Sequence, residues 1–335
     1  MSALEILQAG PGVTVQDSGR PGFMSLGLSR GGASDRLALA EGAALLKLPV
    51  GTALELAGFG GRFRAQRSCR IALTGAPMRA TLDGAPLTWN ASHAMASGAV
   101  LEIGGALRGV YGYLTIGGGF DLPEELGARS AHLAAGLGHL LQAGETVPLG
   151  DDTGRVTGLT LYAQSRFDGG ALRVLPSLQT DLFPEDMRAR FTTEDFTRDS
   201  RGNRMGMRLK PSGAGYGLET GQSIVSEVIT PGDIQIPGDG APYILLYECQ
   251  TTGGYPRIGT VIPADLPRVA QSAPGACLRF RFVTRAEALE AEASYRRTLK
   301  ALPGMVRPLV RDPADMPDLL SYTLISGVTA GEELE

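Results

Sequence analysis

The chain predicts a mainly β protein of two domains, and three observations carry that expectation. Its 335 residues suit about two domains at the usual ~100 to 200 residues each. Glycine at 47 and proline at 21 demand many turns, while 43% hydrophobic and only 20% charged residues place the chain outside the disordered class. Short runs rich in β-branched and aromatic residues, bounded by Gly or Pro, recur along it and read as half-buried strands.

In order, SDRLALAEGAALLKL (Ser34 to Leu48) reads as a helix with Ser34 or Asp35 at its N-cap and an end before Pro49. CRIALT (Cys69 to Thr74) and YGYLTI (Tyr111 to Ile116) read as strands, with Asp83-Gly84 as a tight hairpin turn. The polar stretch QSRFDGG (Gln164 to Gly170) precedes a new strand, ALRVL, and marks a domain boundary. A second turn at Asp239-Gly240 leads into YILLY (Tyr243 to Tyr247), and LRFRFV (Leu278 to Val283) alternates strictly. Thr284 and Glu287 have capping-box spacing, and Ala288, Ala291, Tyr295 and Leu299 form one stripe, so a helix is expected on the outside of the second domain. The resulting division is 1–166, 167–300, and a Pro-punctuated extension over 301–335 that docks on the body. Both turns read DGAP, which hints at an internal duplication.

A formal net charge of −4 without a basic block argues against a nucleic-acid partner. Cys69, Cys249 and Cys277 are odd in number and widely spaced, which disfavours a disulfide framework and a thiolate metal site. His93, His132 and His139 lack ligand spacing, so no metal is expected. Glu5 stands where a signal peptide would be basic, and no run approaches 18 apolar residues, so the expectation is a soluble cytoplasmic protein without a membrane partner. No GxxxxGK[ST] occurs and no GxGxxG follows a strand, which speaks against a nucleotide site of this chain's own. GLSRG (Gly27 to Gly31) fits the GxSxG of a nucleophile elbow, yet too little chain precedes it to build the required sheet.

Polar residues set among glycines carry more. QDSGRPG (Gln16 to Gly22), followed by GGASD (Gly31 to Asp35), reads equally as a pair of ligand-contacting loops or as an Asp17–Arg20 salt bridge closing a turn. GGGFDLPEELGARSAH (Gly117 to His132) places Arg129 and Ser130 after a glycine-rich turn, where backbone N–H groups and a guanidinium suit an oxyanion. Thr251-Thr252-Gly253-Gly254-Tyr255-Pro256 concentrates hydroxyls, unhindered N–H groups and a phenol, which suits a planar amide. There Gly253 and Gly254 permit positive φ, and Pro256 biases Tyr255 toward the extended region. Its ring then either covers a cleft or plugs a barrel end.

Taken together, QDSGRPG, GGASD, LGARS, NRMGMRL (Asn203 to Leu209), PGDIQIPGDGAP and QTTGGYPRIGTVIPADL, with Ala270-Gln271 after them, resemble the ordered motif set of the allophanate hydrolase subunit 2 family. That family takes in the C subunit of 5-oxoprolinase, the kinase-inhibitor antagonist proteins and the carboxyltransferase part of urea carboxylase. The resemblance implies two cyclophilin-like β-barrel domains with a few short helices and a C-terminal helical extension. The chain departs from the family pattern at Ser34, Ala131, Asn203 and Glu248-Cys249.

By that resemblance the chain is one component of an ATP-dependent amide or lactam hydrolase of the 5-oxoprolinase type, inactive alone. Its partners would be a protein like allophanate hydrolase subunit 1 or the B subunit of 5-oxoprolinase, and the A subunit of a lactam-utilisation system. ATP would act at the level of the complex. Two alternatives follow from the same family: the carboxyltransferase component of a biotin-dependent urea carboxylase-like system, the only reading that brings in biotin, and a non-catalytic regulatory partner of a kinase-inhibitor-like protein. A lactam carbonyl is a poor electrophile, so the chemistry needs charge stabilised on oxygen and a base for water. Arg129, Thr251, Thr252 and Tyr255 are the candidates around the oxygen, with Asp17 or Asp35 as base or orienting acid. The substrate-binding candidates are Gln16, Arg20, Ser130, Arg204, Gln235, Gln250, Gly253, Gly254, Asp265 and Gln271.

Overall fold

The computed structural model describes residues 2–162, 164–218 and 224–310. Alternation of apolar residues over 4–149 is satisfied by two sheets that enclose one core. The six-stranded sheet runs Thr146–Pro148, Ala3–Ala9, Phe59–Ala65, Val100–Ala106, Met78–Leu82, Ala85–Pro86. The seven-stranded sheet runs Val13–Gln16, Ala53–Ala57, Tyr111–Ile116, Cys69–Gly75, Ala91–Met95, Leu159–Thr160, Arg307–Pro308. Leu4, Phe63 and Leu101 from the first meet Val15, Leu54, Leu73 and Leu114 from the second. On the strands of the second sheet the intervening residues Thr14, Gln16, Glu55, Tyr113 and Thr115 are polar, yet they are buried too. Something other than water must cover that face.

The covering begins with helix α1 (Arg36–Leu46), capped by Asp35, whose carboxylate accepts from the Leu37 and Ala38 amides at 3.1 Å each. It continues with the C-terminal half, a closed barrel in the order Gly170–Leu175, Arg257–Val261, Asp233–Gln235, Tyr243–Leu245, Gly206–Pro211, Phe196–Gly202, Cys277–Phe282. Parallel pairing of Gly170–Leu175 with Cys277–Phe282 belongs to this closure. Phe191 of helix α2 (Glu185–Thr193) stacks on Phe280 inside it. Helix α3 (Leu266–Gln271) lies against the seam, and Glu227–Val228 with Thr252–Gly253 form a separate two-stranded ribbon.

Helix α4 (Arg285–Met305) starts with the expected capping box, Thr284 with Glu287. It is not confined to the outside of the second half. Ala288 and Ala291 pack with Ile262 and Val283 of that half, whereas Tyr295, Leu299 and Leu302 pack with Leu37 and Ala44 of α1. The helix thus crosses residue 301 and straps the two halves together, and Arg307–Pro308 then adds a strand to the first half's sheet. Residues 311–335 of the expected extension lie outside the described residues.

The two DGAP turns differ. Asp83 and Gly84 both take positive φ, at 49° and 84°, as a two-residue hairpin of this kind requires. At the second only Gly240 does, and Asp239 instead accepts from the Ala241 amide at 3.1 Å and pairs with Arg208. Among the described residues no helix is long and apolar enough to cross a membrane, and no group of three or more His, Cys, Asp or Glu side chains is placed to hold a metal.

Candidate functional site

The loop motifs meet at the seam between the halves, and backbone contact brings them there. Gly32 has φ +79°, and a Cβ on it would lie 2.5 Å from the Gly19 amide nitrogen, so only glycine lets the two loops close. They zip through Arg20 N–H to the Arg30 carbonyl at 2.7 Å and Ala33 N–H to the Asp17 carbonyl at 2.8 Å. The Gly31 N–H donates to the Tyr247 carbonyl at 2.9 Å, tying both loops to the barrel.

Across that tie reaches Arg204. Its guanidinium donates to the Gly32 carbonyl at 2.6 Å, to Ser34 Oγ at 2.9 Å, to Glu248 Oε1 at 2.5 Å, and to Glu55. Glu55 also accepts from the Ser34 amide at 2.7 Å and the Tyr113 hydroxyl at 2.6 Å. Burial works against the charge on Arg204, but Glu55 and Glu248 more than offset it and hold the guanidinium above its ordinary value. Burial, with Glu55 beside it, pushes the Tyr113 phenol well up. Tyr113 therefore stays a neutral donor and Arg204 a fixed cation.

A second knot lies deeper. Asp35 Oδ2 accepts from Arg166 Nε at 2.7 Å and from Gln271 Nε2 at 2.8 Å, and Arg166 forks onto Glu41 at 2.8 and 3.1 Å. Gln271 is fully buried and also caps the edge of the first half, accepting from the Val110 and Tyr111 amides at 3.0 Å each. Nearby, Ser29 and His132 share a buried hydrogen bond of 2.9 Å, and burial lowers the pKa of that imidazole.

Two more accessible regions flank the seam. Asp17 accepts from the Gly19 and Arg129 amides at 2.8 and 2.7 Å and lines a cavity of about 530 Å³ with Arg129, whose guanidinium donates to the Leu122 carbonyl at 2.7 Å and to Glu124 at 3.4 Å. On the ribbon, Thr252 and Tyr255 are exposed, Tyr255 by 53%, Thr251 next to them is buried, and among the described residues none of the three hydroxyls has a protein hydrogen-bond partner. Tyr255 does not plug the barrel.

Residues 26–282 match the family model of the carboxyltransferase domain, subdomain A and B. The chain belongs to this family. Among its relatives, the 5-oxoprolinase C subunit of Haemophilus influenzae is 33% identical over 292 residues, covering 85% of this chain and 93% of that one. The 5-oxoprolinase C subunit of Escherichia coli is 32% identical over 311 residues, covering 89% and 97%. The crystal structure of the K. lactis urea amidolyase shares the fold, with a TM-score of 0.79 at 24% identity over 93% of this chain, which spans 21% of that larger protein.

On this carboxyltransferase-domain frame the expected site residues separate into groups. Asp35, Arg204 and Gln271 come together at the seam, and each is occupied there by protein partners. Asp35 in particular is fully buried as a helix cap and ion-pair acceptor, so it is not placed to serve as a base. Arg20 and Asp17 do not pair. Arg20 is buried and donates to the Glu125, Ala128 and Ser130 carbonyls and to Ser130 Oγ, which fixes the 125–130 loop, and Gln16 holds the Ala131 carbonyl at 3.2 Å. Asp265 is buried against Arg173, Gln235 is a buried barrel residue, and Gln250 is exposed.

The glycine turns also differ from the expectation. In the 117–119 run the Gly117 and Gly119 amides donate to the Arg70 and Ile116 carbonyls, at 2.8 and 2.9 Å, and so do not face a ligand. Neither Gly253 nor Gly254 takes positive φ; a Cβ on Gly253 would lie 2.6 Å from Gln235 Nε2, so a larger residue there would displace the end of that side chain.

Sequence reasoning missed Glu55, Tyr113 and Arg166. Glu55 alone carried a signal, a single acid within the apolar strand ALELA. GLSRG is no elbow: a 3₁₀ turn at Met24–Leu26 precedes it, and Ser29 is buried in the seam.

Proposed function

We propose that this chain is the C-type component of an ATP-dependent lactam hydrolase of the 5-oxoprolinase type, working in the cytoplasm with partners like the 5-oxoprolinase B subunit, together with a lactam-utilisation protein of the A type. The observation that carries the reading is the end-to-end likeness to the 5-oxoprolinase C subunit, over 93% and 97% of the two relatives.

The geometry supports a division of labour. At the seam the charged groups are already paired, so it serves as a rigid mount. The hydroxyls of Thr252 and Tyr255, without a protein partner among the described residues, are exposed on the ribbon, with Thr251 buried beside them. An exposed hydroxyl competes with water and stabilises a developing oxyanion weakly; in a dry, closed site the same donor is worth far more. The ribbon therefore needs a partner protein over it before it can act on an amide oxygen, which would account for the expected inactivity alone. Asp17 and Arg129, in the neighbouring cavity, would hold the polar end of a small amide or ureido substrate.

The chain's own turns do not fit a nucleotide. A Cβ on Gly118 would collide with the Gly150 carbonyl, and Gly253 packs on Gln235, so protein, and not phosphate, approaches both. No ATP step is assigned to this chain. Biotin has no feature of the structure in its favour beyond the shared fold with the K. lactis urea amidolyase.

The test is reconstitution with the A-type and B-type partners and measurement of 5-oxoproline-dependent ATP hydrolysis. Turnover should require all components. Full turnover by this chain alone, or by the partners without it, overturns the proposal.

A further inference from the structure

A groove of about 980 Å³ lies on the first half, and every residue lining it precedes Gly158. Its apolar part is half-buried Cys69 with buried Met95 and Leu149, at the end of the seven-stranded sheet where Cys69 and Met95 pair across neighbouring strands. Exposed Arg67 and Arg155 stand on its polar part, Arg155 within the loop 151–157. The volume is at the top of the ~300–1,000 Å³ usual for small-molecule pockets, so a length of chain fits as well as a ligand does.

Three guanidinium groups line this groove against two carboxylates. Arg70 and Asp152 are closed on one another through contacts of 2.8 and 2.6 Å. Arg67 meets Asp151 at 3.5 Å, and Asp151 is 97% exposed, so that pair contributes little. Arg155 has no ion pair among the described residues. The surplus charge of the groove is therefore positive, and it is carried by Arg155.

The chain itself leads to this place. Arg307–Pro308 pairs antiparallel with Leu159–Thr160, and the Leu309 amide donates to the Gly158 carbonyl at 2.8 Å. Thr157, the neighbour of Gly158, lines the groove, so the exposed Val310 delivers the following residues to its edge. Those residues read RDPADMPDLL over 311–320. After Arg311 come Asp312, Asp315 and Asp318, with Met316, Leu319 and Leu320 among them, and Pro313 and Pro317 bias the residues before them toward extended backbone. An acidic and apolar segment thus follows directly on a basic and apolar groove.

We propose that residues 312–320 of this chain occupy the groove, with their aspartates at Arg67 and Arg155 and their apolar side chains over Cys69, Met95 and Leu149. Because the segment is tethered at Val310, its effective concentration reaches the range of about millimolar, and weak surface contacts suffice to hold it. The groove belongs to the first half alone, so the proposal does not depend on the lactam-hydrolase reading.

Hydrogen exchange on the full chain tests it. The amides of 312–320 are expected to exchange about tenfold more slowly than in a synthetic peptide of residues 311–322. Arg67→Glu with Arg155→Glu, both at exposed positions, should bring them to the peptide's rate, while unchanged exchange of Tyr111–Ile116 shows that the fold is kept. Asp312→Lys, Asp315→Lys and Asp318→Lys together should have the same effect. Combining the two sets restores opposite charges and should restore the protection. Exchange at the peptide's rate in the unaltered chain overturns the proposal. Protection that survives the arginine reversal, or that the combined set fails to regain, places the segment elsewhere and overturns it too.

Discussion

Gln271 and Asp35 meet across the seam at 2.8 Å, one from the last turn of α3 in the barrel half and the other at the cap of α1 in the first half. The contact makes a helix cap depend on the other half of the molecule. While Asp35 Oδ1 caps α1, Arg166 and Gln271 occupy its second oxygen, and Gln271 at once satisfies the Val110 and Tyr111 amides.

Gln271→Leu is accordingly expected to destabilise the protein by about 2–4 kcal/mol, since it strands buried backbone groups of Val110 and Tyr111 and one lone pair of Asp35. Gln271→Glu should be worse, because it sets a second carboxylate against Asp35 where the amide donated. Urea denaturation of the two variants checks both, and equal stability of Gln271→Leu and the unaltered chain would refute the account.

Arg166 answers to the same logic with charges. Removing it by Arg166→Met leaves Asp35 and Glu41 buried together without their cation, a change expected to cost about 3–5 kcal/mol. Replacing the whole set with apolar or neutral residues should cost much less, because the desolvation penalty disappears with the charges. Comparing Arg166→Met with the triple replacement Asp35→Asn, Glu41→Leu, Arg166→Met by denaturant midpoint separates the two effects.

How legible these features are follows from how local their causes are. The α1 cap at Asp35, the capping box at Thr284 and Glu287 and the strand over 111–116 rest on neighbouring residues, so pattern and spacing reveal them. Glu55 is different. One acid in an apolar strand looks like a solvent-facing position until Arg204, 149 positions away in sequence, comes to cover it. Arg166 sits in a stretch whose polar composition reads as a linker, and it is buried because the segment threads between the halves. The course of α4 over both halves is unreadable for the same reason, its apolar stripe being satisfied by Leu37 and Ala44, far away in sequence.

The start of α4 gives a pH dependence with a definite sign. Glu287 accepts from the Thr284 amide, Arg281 and the Thr284 hydroxyl, and these hold its carboxyl down from the ordinary 4.5 to about 2. A depressed acid stabilises the folded state above its unfolded value and loses that contribution as pH falls through the folded one. Stability of the α4 start should therefore decline between about pH 4.5 and 2. In Glu287→Gln, which keeps the capping geometry without a titrating group, that part of the decline should vanish. Hydrogen exchange of the 284–290 amides across the window reads it directly, and an identical decline in Glu287→Gln would assign it elsewhere.

The ribbon supplies the last prediction. In the register that pairs Glu227 with Gly253 and Val228 with Thr252, the strand presents its side chains alternately toward the barrel and away from it. Thr251 is buried at the barrel end, Thr252 is exposed, and Tyr255 stands beyond the last pair with 53% of its surface exposed. A tyrosine so placed gains little for the fold from its hydroxyl, so Tyr255→Phe should leave thermal stability within about 0.5 kcal/mol of the unaltered chain. If the hydroxyl serves the substrate in the assembled complex, turnover should nevertheless fall. Thr252→Ala should fall further, by about a hundredfold where a single oxyanion donor is lost from a closed site. The pair of variants separates the roles open to the ribbon. Loss of turnover with unchanged stability and unchanged complex formation places these hydroxyls at the reacting amide. Loss of complex formation makes the ribbon a docking edge, and full activity in both variants removes it from the chemistry.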